Sequence, residues 1–269
     1  MMHDVKSVGY ENYLKTQRKE KLLIRFLQLS FLVCFIGFWE YFATIEVIDD
    51  FFFSKPSAIF HLLMQYISSG DLYHHLAISV YETLLGLIIG TILGLFIAIV
   101  LWSSDRIAKI LDPFLVILNA LPKTALAPIL IVWVGTGIKG IVVIAVITSV
   151  VVTILSAYSY FKLVDPDQIR LLESFGASKY QILTKLVLPS NYLNIISVIK
   201  LNIGMSWVGV IVGEFIASRA GIGYLIVYGG QVFRLDIVMM GVLVLGFCAY
   251  LMYAIVNAFE TYLKRRQSR

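Results

Sequence analysis

Asp165-Pro-Asp-Gln-Ile-Arg-Leu-Leu-Glu-Ser-Phe-Gly-Ala-Ser-Lys-Tyr-Gln-Ile-Leu-Thr-Lys-Leu-Val-Leu-Pro189 is a polar, capped segment set between two long apolar runs, residues 141–161 and 193–217. Asp165 suits an N-cap, Pro166 fits the first helical position, and Asp167 favours the positive end of a helix. These signals predict a helix over 166–175, and Gly176 can take the left-handed conformation that stops it. Ser178 and Gln181 form a capping box, S-x-x-Q, opening a second helix that is expected to end before Pro189. Ile169, Leu172 and Phe175 fall on one face of the first helix, while Ile182, Leu183, Leu186 and Val187 make an apolar stripe on the second. Spacing alone fits two readings equally: an interfacial connector between spans, or a docking element for another protein.

The flanking runs set the solvent. Hydrophobic residues make up 59% of the 269 and charged ones 14%, with a mean hydropathy of +0.86, which excludes a soluble globular domain. Apolar stretches of about 18 or more residues read as membrane-spanning helices, because backbone polar groups cannot stay unpaired in hydrocarbon. Six are expected: residues 22–44, 78–102, 114–134, 141–161, 193–217 and 237–263. Pro122 and Pro128 interrupt the third, which a span tolerates when neighbouring helices satisfy the freed carbonyls. The chain therefore reads as an all-α integral membrane protein in three parts. These are a 1–21 lead-in, a 22–263 transmembrane domain containing the 162–190 loop, and a basic 264–269 tail.

Basic residues orient it. Lys6, Lys15, Arg18, Lys19, Lys21 and Arg25 lead in; Arg106, Lys109, Lys162, Arg170, Lys179 and Lys185 occupy two loops; Lys264, Arg265, Arg266 and Arg269 close the chain. The opposite loops hold Lys55, Lys139, Arg219 and Arg234 beside Glu46, Asp49, Asp50 and Asp71. Both termini are thus expected in the cytoplasm of a multi-pass cell-membrane protein. The net charge of +5 follows from this bias and from attraction to anionic lipid, so nucleic acid is not an expected partner. About twenty polar residues precede the first run and no small-x-small site follows, so that run is expected to be a retained span. Cys34 and Cys248 sit inside spans with no partner in spacing and read as packing residues.

Ahead of the second span, Ser57 is expected to cap a short helix over 58–68 that Gly70 ends. The 218–236 connection, with Gly221-Ile-Gly-Tyr-Leu and Gly229-Gly230, is expected to bend back as a short re-entrant or interfacial piece.

The spacing from Gly176 to Leu188-Pro189, with an aliphatic at Leu186, resembles the "EAA" loop of binding-protein-dependent ABC importer permeases. Gly176-Ala-Ser-Lys-Tyr-Gln is similar to the Gly-Ala-Ser form of the branch handling sulfonates, taurine, nitrate and some vitamin precursors, such as a thiamine pyrimidine. Ser79 through Gly86 to Gly94, Leu121-Pro122-Lys-Thr-Ala125, Pro128 through Gly135, Trp207, Glu214 and Gly221-Ile-Gly-Tyr224 resemble other patterns of that branch. The likeness runs from about Ser79 to Phe259. Two departures stand out. Arg170-Leu171-Leu172 replaces the usual acid and alanines, with Glu173 the acid instead, and Glu82 stands where an arginine is common.

The resemblance implies the transmembrane domain of a type I ABC importer, non-catalytic and without cofactors of its own. It implies a cytoplasmic ATPase dimer that binds ATP and Mg, a second permease copy as homodimer mate, and an external solute-binding protein or lipoprotein. It places ATPase coupling at Glu173, Ser174, Phe175, Gly176, Ala177 and Ser178. Along the path, ionisable and polar groups in spans are costly and tend to face a pathway or partner, by about 2.5–3.5 kcal/mol for a charge. Asn202, Ser206, Trp207 and Glu214 are the candidates. Lys200 lies about two turns from its span's end and could snorkel, while Glu82 and Glu214 lie about one turn from theirs. No G-x-x-x-x-G-K-[ST] phosphate loop occurs, which leaves nucleotide to another chain. Two rivals remain on residues alone. An ion-coupled transporter would need paired half-repeats, and a membrane enzyme would need clustered His or carboxylates at one depth, and the sequence shows neither.

Overall fold

The computed structural model describes residues 2–47 and 54–267; Asp49, Asp50 and Arg269 lie outside the described residues. Its elements, in chain order, are α1 (Met2–Thr44), α2 (Pro56–Ser69), α3 (Asp71–Ser103), α4 (Asp105–Ala120), a 3-10 turn (Lys123–Leu126) and α5 (Ala127–Val134). Then come α6 (Ile138–Lys162), α7 (Pro166–Ser174), α8 (Lys179–Ala217), α9 (Ile222–Gln231) and α10 (Leu235–Gln267). Five helices are long and apolar enough to cross a membrane, within α1, α3, α6, α8 and α10, and α4 with α5 makes a sixth if that bent pair is one span. All regular structure among the described residues is helical.

Helices α3, α6 and α8 form the centre because their facing surfaces are built from small residues. Gly86, Gly90 and Gly94 recur every fourth position on α3 and meet Ala145, Ser149 and Thr153 on α6, where any added methyl would overlap. Lipid tails are as apolar as leucine, so this close backbone approach, rather than hydrophobic exclusion, is what holds such helices together. The hydroxyls buried by that approach are satisfied locally. Thr148, Ser149 and Thr153 each donate to the carbonyl four residues earlier in α6. Asn202 of α8 ties all three helices by donating to Thr91 (2.9 Å) and Thr153 (2.6 Å).

Two expectations are corrected, and the third span, expected to be interrupted at Pro122 and Pro128, is bent by 85°. Pro122 has no N–H to give and drives Leu121 into extended backbone (φ −65°, ψ 134°), so α4 stops at Ala120 and the chain restarts at a new angle. The second helix of the connector does not end before Pro189. It runs straight into the fifth span through a π turn, Leu183–Val187, in which Leu188 donates to Leu183. A wider turn absorbs the proline that an α-helical ladder would break on. Ser57 is no N-cap either: α2 begins at Pro56, and the Glu40 carboxylate of α1 accepts from Ser57 N (3.0 Å) and Oγ (2.7 Å). Trp39 Nε1 adds a bond to the Ser54 carbonyl (3.2 Å), so α1 is pinned to α2 while its apolar faces stay open. Gly70 ends α2 with φ +85°, as its position suggested.

Candidate functional site: a capped connector and a polar corner at opposite ends of the bundle

The connector of residues 163–188 folds as its caps dictate. Asp165 accepts from Asp167 N (2.9 Å), opening α7. Gly176 adopts φ +77°, where an L side chain is strained, and lets Ala177 N reach Leu172 O (3.0 Å) and Gly176 N reach Glu173 O (2.9 Å). Ser178 and Gln181 complete the reciprocal capping box. One side of the unit is fixed to the bundle. Ile182, Leu183 and Val187 are buried with Ala98 of α3 and Ala157 and Phe161 of α6, and Ile169, Leu172 and Ala177 pack at the margin. Lys179 Nζ donates to the Ser103 carbonyl, 3.1 Å away.

The other side is bare. Phe175 is 78% exposed and Tyr180 74%. The periodic pattern had put Phe175 on the face of Ile169 and Leu172, but Phe175 is the C-cap residue (φ −82°, ψ 5°) and turns outward as the chain reverses at Gly176. Of the six coupling candidates, Glu173, Ser174, Phe175, Gly176 and Ser178 are exposed, and Ala177 is half-buried against the cluster.

At the far end of α6, 25 residues or roughly 37 Å away, polar groups converge. Glu214, 1% exposed, accepts from Ser79 Oγ (2.5 Å), from Gly223 N (2.5 Å) and from Tyr224 N. The same Ser79 hydroxyl accepts from Ile222 N (2.8 Å), and His75 Nδ1 accepts from Gly221 N (2.9 Å) while its ring stacks on Tyr224. The orphan N–H groups that open α9 are thus met by side chains of α3 and α8, and the carboxylate sits where the helix dipole is positive. A side chain at Gly221 would collide with the Glu214 carboxyl, which explains glycine there. The expected re-entrant piece is this helix, closed by a tight return in which Arg234 N reaches Gly229 O (2.8 Å). Beyond it, Arg234 pairs with Asp236 (2.7 Å), a hydrogen bond that holds the guanidinium above its ordinary pKa.

The other path candidates, Asn202, Ser206 and Trp207, are all buried, Asn202 between α3, α6 and α8 and Trp207 in a cluster with Leu87 of α3 and Cys248 of α10. Asn202 Oδ1, Ser206 Oγ and Trp207 Nε1 have no hydrogen-bond partner among the described residues. Lys200 does not run out to solvent: it pairs with Glu260 of α10, which also meets Lys264 at 2.6 Å. That ion pair and the Ser79–Glu214 bond escaped the sequence reading, since each joins residues far apart in the chain. The available signal was the scarcity of charge: an acid and a base buried in separate spans are candidates to be each other's partner.

The bundle and its two ends are those of an ABC importer's transmembrane domain. The chain belongs to the binding-protein-dependent transport system inner membrane components, whose family profile matches residues 90–269. It is 25% identical over 239 residues to the taurine transport system permease protein TauC of Escherichia coli K12, covering 87% of each chain. It is 27% identical to SsuC of Bacillus subtilis 168, a permease protein assigned to aliphatic sulfonate transport, over 84% of this chain and 82% of that one. In structure it resembles a chain of the MetNI methionine ABC transporter, with a TM-score of 0.62, 14% identity, and coverage of 68% of this chain and 92% of that one. It is therefore a permease subunit of an ABC importer, and its relatives are transport permeases rather than ion-coupled carriers or membrane enzymes.

Proposed function

We propose that this permease subunit passes a small organic sulfonate, of the taurine or alkanesulfonate type, inward across the membrane, and that a separate ATPase drives it by seating on residues 173–178. The observation that carries the coupling half is the two-sidedness of the connector. Its inner face is packed on the ends of α3 and α6, and its outer face leaves Phe175 and Tyr180 mostly exposed among the described residues. A rigid unit bonded to two spans passes on a push that a flexible loop would absorb. The solute half is supported by likeness to relatives named for taurine and aliphatic sulfonates.

In this reading both termini and the connector lie in the cytoplasm, two copies enclose the path, and an external solute-binding protein delivers the cargo. Asn202, Ser206 and Trp207 lie buried inside each copy, behind the surface that would line the path, where Asn202 ties α3, α6 and α8 together. Glu214 has its donors already and serves the outer corner instead.

The test is uptake of labelled taurine and ethanesulfonate into right-side-out vesicles that carry this chain with its ATPase and enclosed ATP, with the binding protein outside. Uptake of either that requires ATP, and that Phe175→Asp abolishes in a protein of unchanged melting temperature, is the expected result. Uptake indifferent to ATP or to Phe175→Asp refutes the coupling; uptake of neither sulfonate refutes the cargo.

A further inference from the structure

A cleft of 340 Å³ opens at the end of the bundle opposite the connector, between α3, the Gly135–Gly137 turn ahead of α6, and the residues following α8. Glu82 lines it, yet Glu82 is 1% exposed and its Oε2 has no hydrogen-bond partner among the described residues. Its neighbour Glu214 lies within hydrogen-bonding reach but is already committed to Ser79, Gly223 and Tyr224. A buried acceptor oxygen without a donor is unfavourable, so a donor brought in through the cleft would be held. Even with one proton between the two carboxyls, the pair keeps one net negative charge.

Other residues of the lining have the opposite polarity. Thr136, Gly137 and Ile138 line the cleft where α6 begins, and α6 has no side-chain cap among the described residues, so its first N–H groups and positive dipole end belong to the same cleft. Arg219 lines the cleft as well. A cleft lined by groups of both signs matches a molecule with both charges.

We propose that this cleft binds a small zwitterion, its primary ammonium on Glu82 and its sulfonate at the start of α6 beside Arg219. The inference deepens the proposed function and rests on it for the sulfonate; the ammonium rests on Glu82. It makes the solute an aminosulfonate rather than a plain alkanesulfonate. A metal ion fits less well. Hard cations take about six to eight oxygens, whereas Glu82 offers one unpartnered oxygen and no group of three His, Cys, Asp or Glu occurs among the described residues.

The experiment is infrared difference spectroscopy of the purified chain in nanodiscs, titrated separately with taurine, ethylammonium, ethanesulfonate and sodium chloride. Taurine and ethylammonium should each give a saturable carboxyl-stretch change, and ethanesulfonate and sodium none. Glu82→Gln should remove the change and weaken taurine at least tenfold. Glu82→Asp, which keeps the charge and guards against a misfolded amide variant, should retain the change at a several-fold higher midpoint. An undiminished change in folded Glu82→Gln, a response to sodium, or none to taurine overturns the site. Vesicle uptake of taurine and ethanesulfonate, measured side by side, separates the two readings. Uptake without a carboxyl response sinks the site alone, and a response to ethylammonium with no sulfonate uptake sinks the sulfonate cargo while the ammonium site on Glu82 stands.

Discussion

The Lys179 ammonium donates to the carbonyl oxygen of Ser103, 3.1 Å away, and so fastens the first turn of α8 to the last turn of α3. A cation at a helix C-terminus meets both unsatisfied carbonyls and the negative dipole end. This exposed bond is worth about 0.3–1 kcal/mol, less than the burial of Ile182 and Val187 beside it. Lys179→Met should therefore leave the fold intact while raising amide exchange in residues 179–183 by up to about fivefold. Exchange mass spectrometry checks this, and Lys179→Arg should restore most of the protection.

Gly176 presents the opposite situation, with open space around it and a strained backbone. A Cβ there meets nothing, so the cost of substitution is conformational alone, about 1–2 kcal/mol for alanine. Gly176→Asn should cost less than Gly176→Ala, and Gly176→Val most. Thermal unfolding in detergent, ranked across the three variants, tests the order.

Glu214 should be far less forgiving. Glu214→Ala leaves Gly223 N, Tyr224 N and the Ser79 hydroxyl without their acceptor inside the protein. At about 1–3 kcal/mol for each buried unsatisfied group, the loss is a large part of a membrane domain's margin. Ser79→Ala should cost less than Glu214→Ala, since Gly223 and Tyr224 keep their bonds. Denaturant or thermal unfolding of the three proteins measures the order, and equal melting temperatures would contradict the clamp.

The glycine stripe predicts a different failure. Gly90→Leu drives a side chain into Ser149 and must spread α3 from α6. Overpacking of this kind costs about 1–3 kcal/mol. Its signature is a lowered melting temperature with far-ultraviolet helicity unchanged. The same substitution at Gly246, which has open space around it, should have little effect.

How much of this the sequence held depends on whether a feature is local. Caps are local: Asp165, Gly176, Ser178 and Gln181 each act within a few residues, and the connector formed where they placed it. Spans are nearly local, since about 20 apolar residues need no partner to declare themselves. The misses came where a local signal met a distant one. Ser57 lost the capping role to Glu40 of another helix, and Phe175 left its periodic face because the helix ended beneath it. Pro189 failed to stop a helix that a π turn could carry through, while Pro122, with an extended residue before it, did stop one. Glu82 and Glu214 read alike in sequence, as acids one turn inside a span. Only their neighbours distinguish a carboxylate with its donors in place from one with an oxygen unmet.

The central claim is that an ATPase seats on the outer face of the connector. A photo-crosslinking phenylalanine placed at position 175, with a control at Leu251, exposed within the apolar span of α10, reads this directly in membranes that hold the whole transporter. Seating predicts an adduct with the ATPase subunit from position 175, lost with the ATPase, and none from 251. Equal yields from the two positions, or an adduct at 175 that persists without the ATPase, would contradict it.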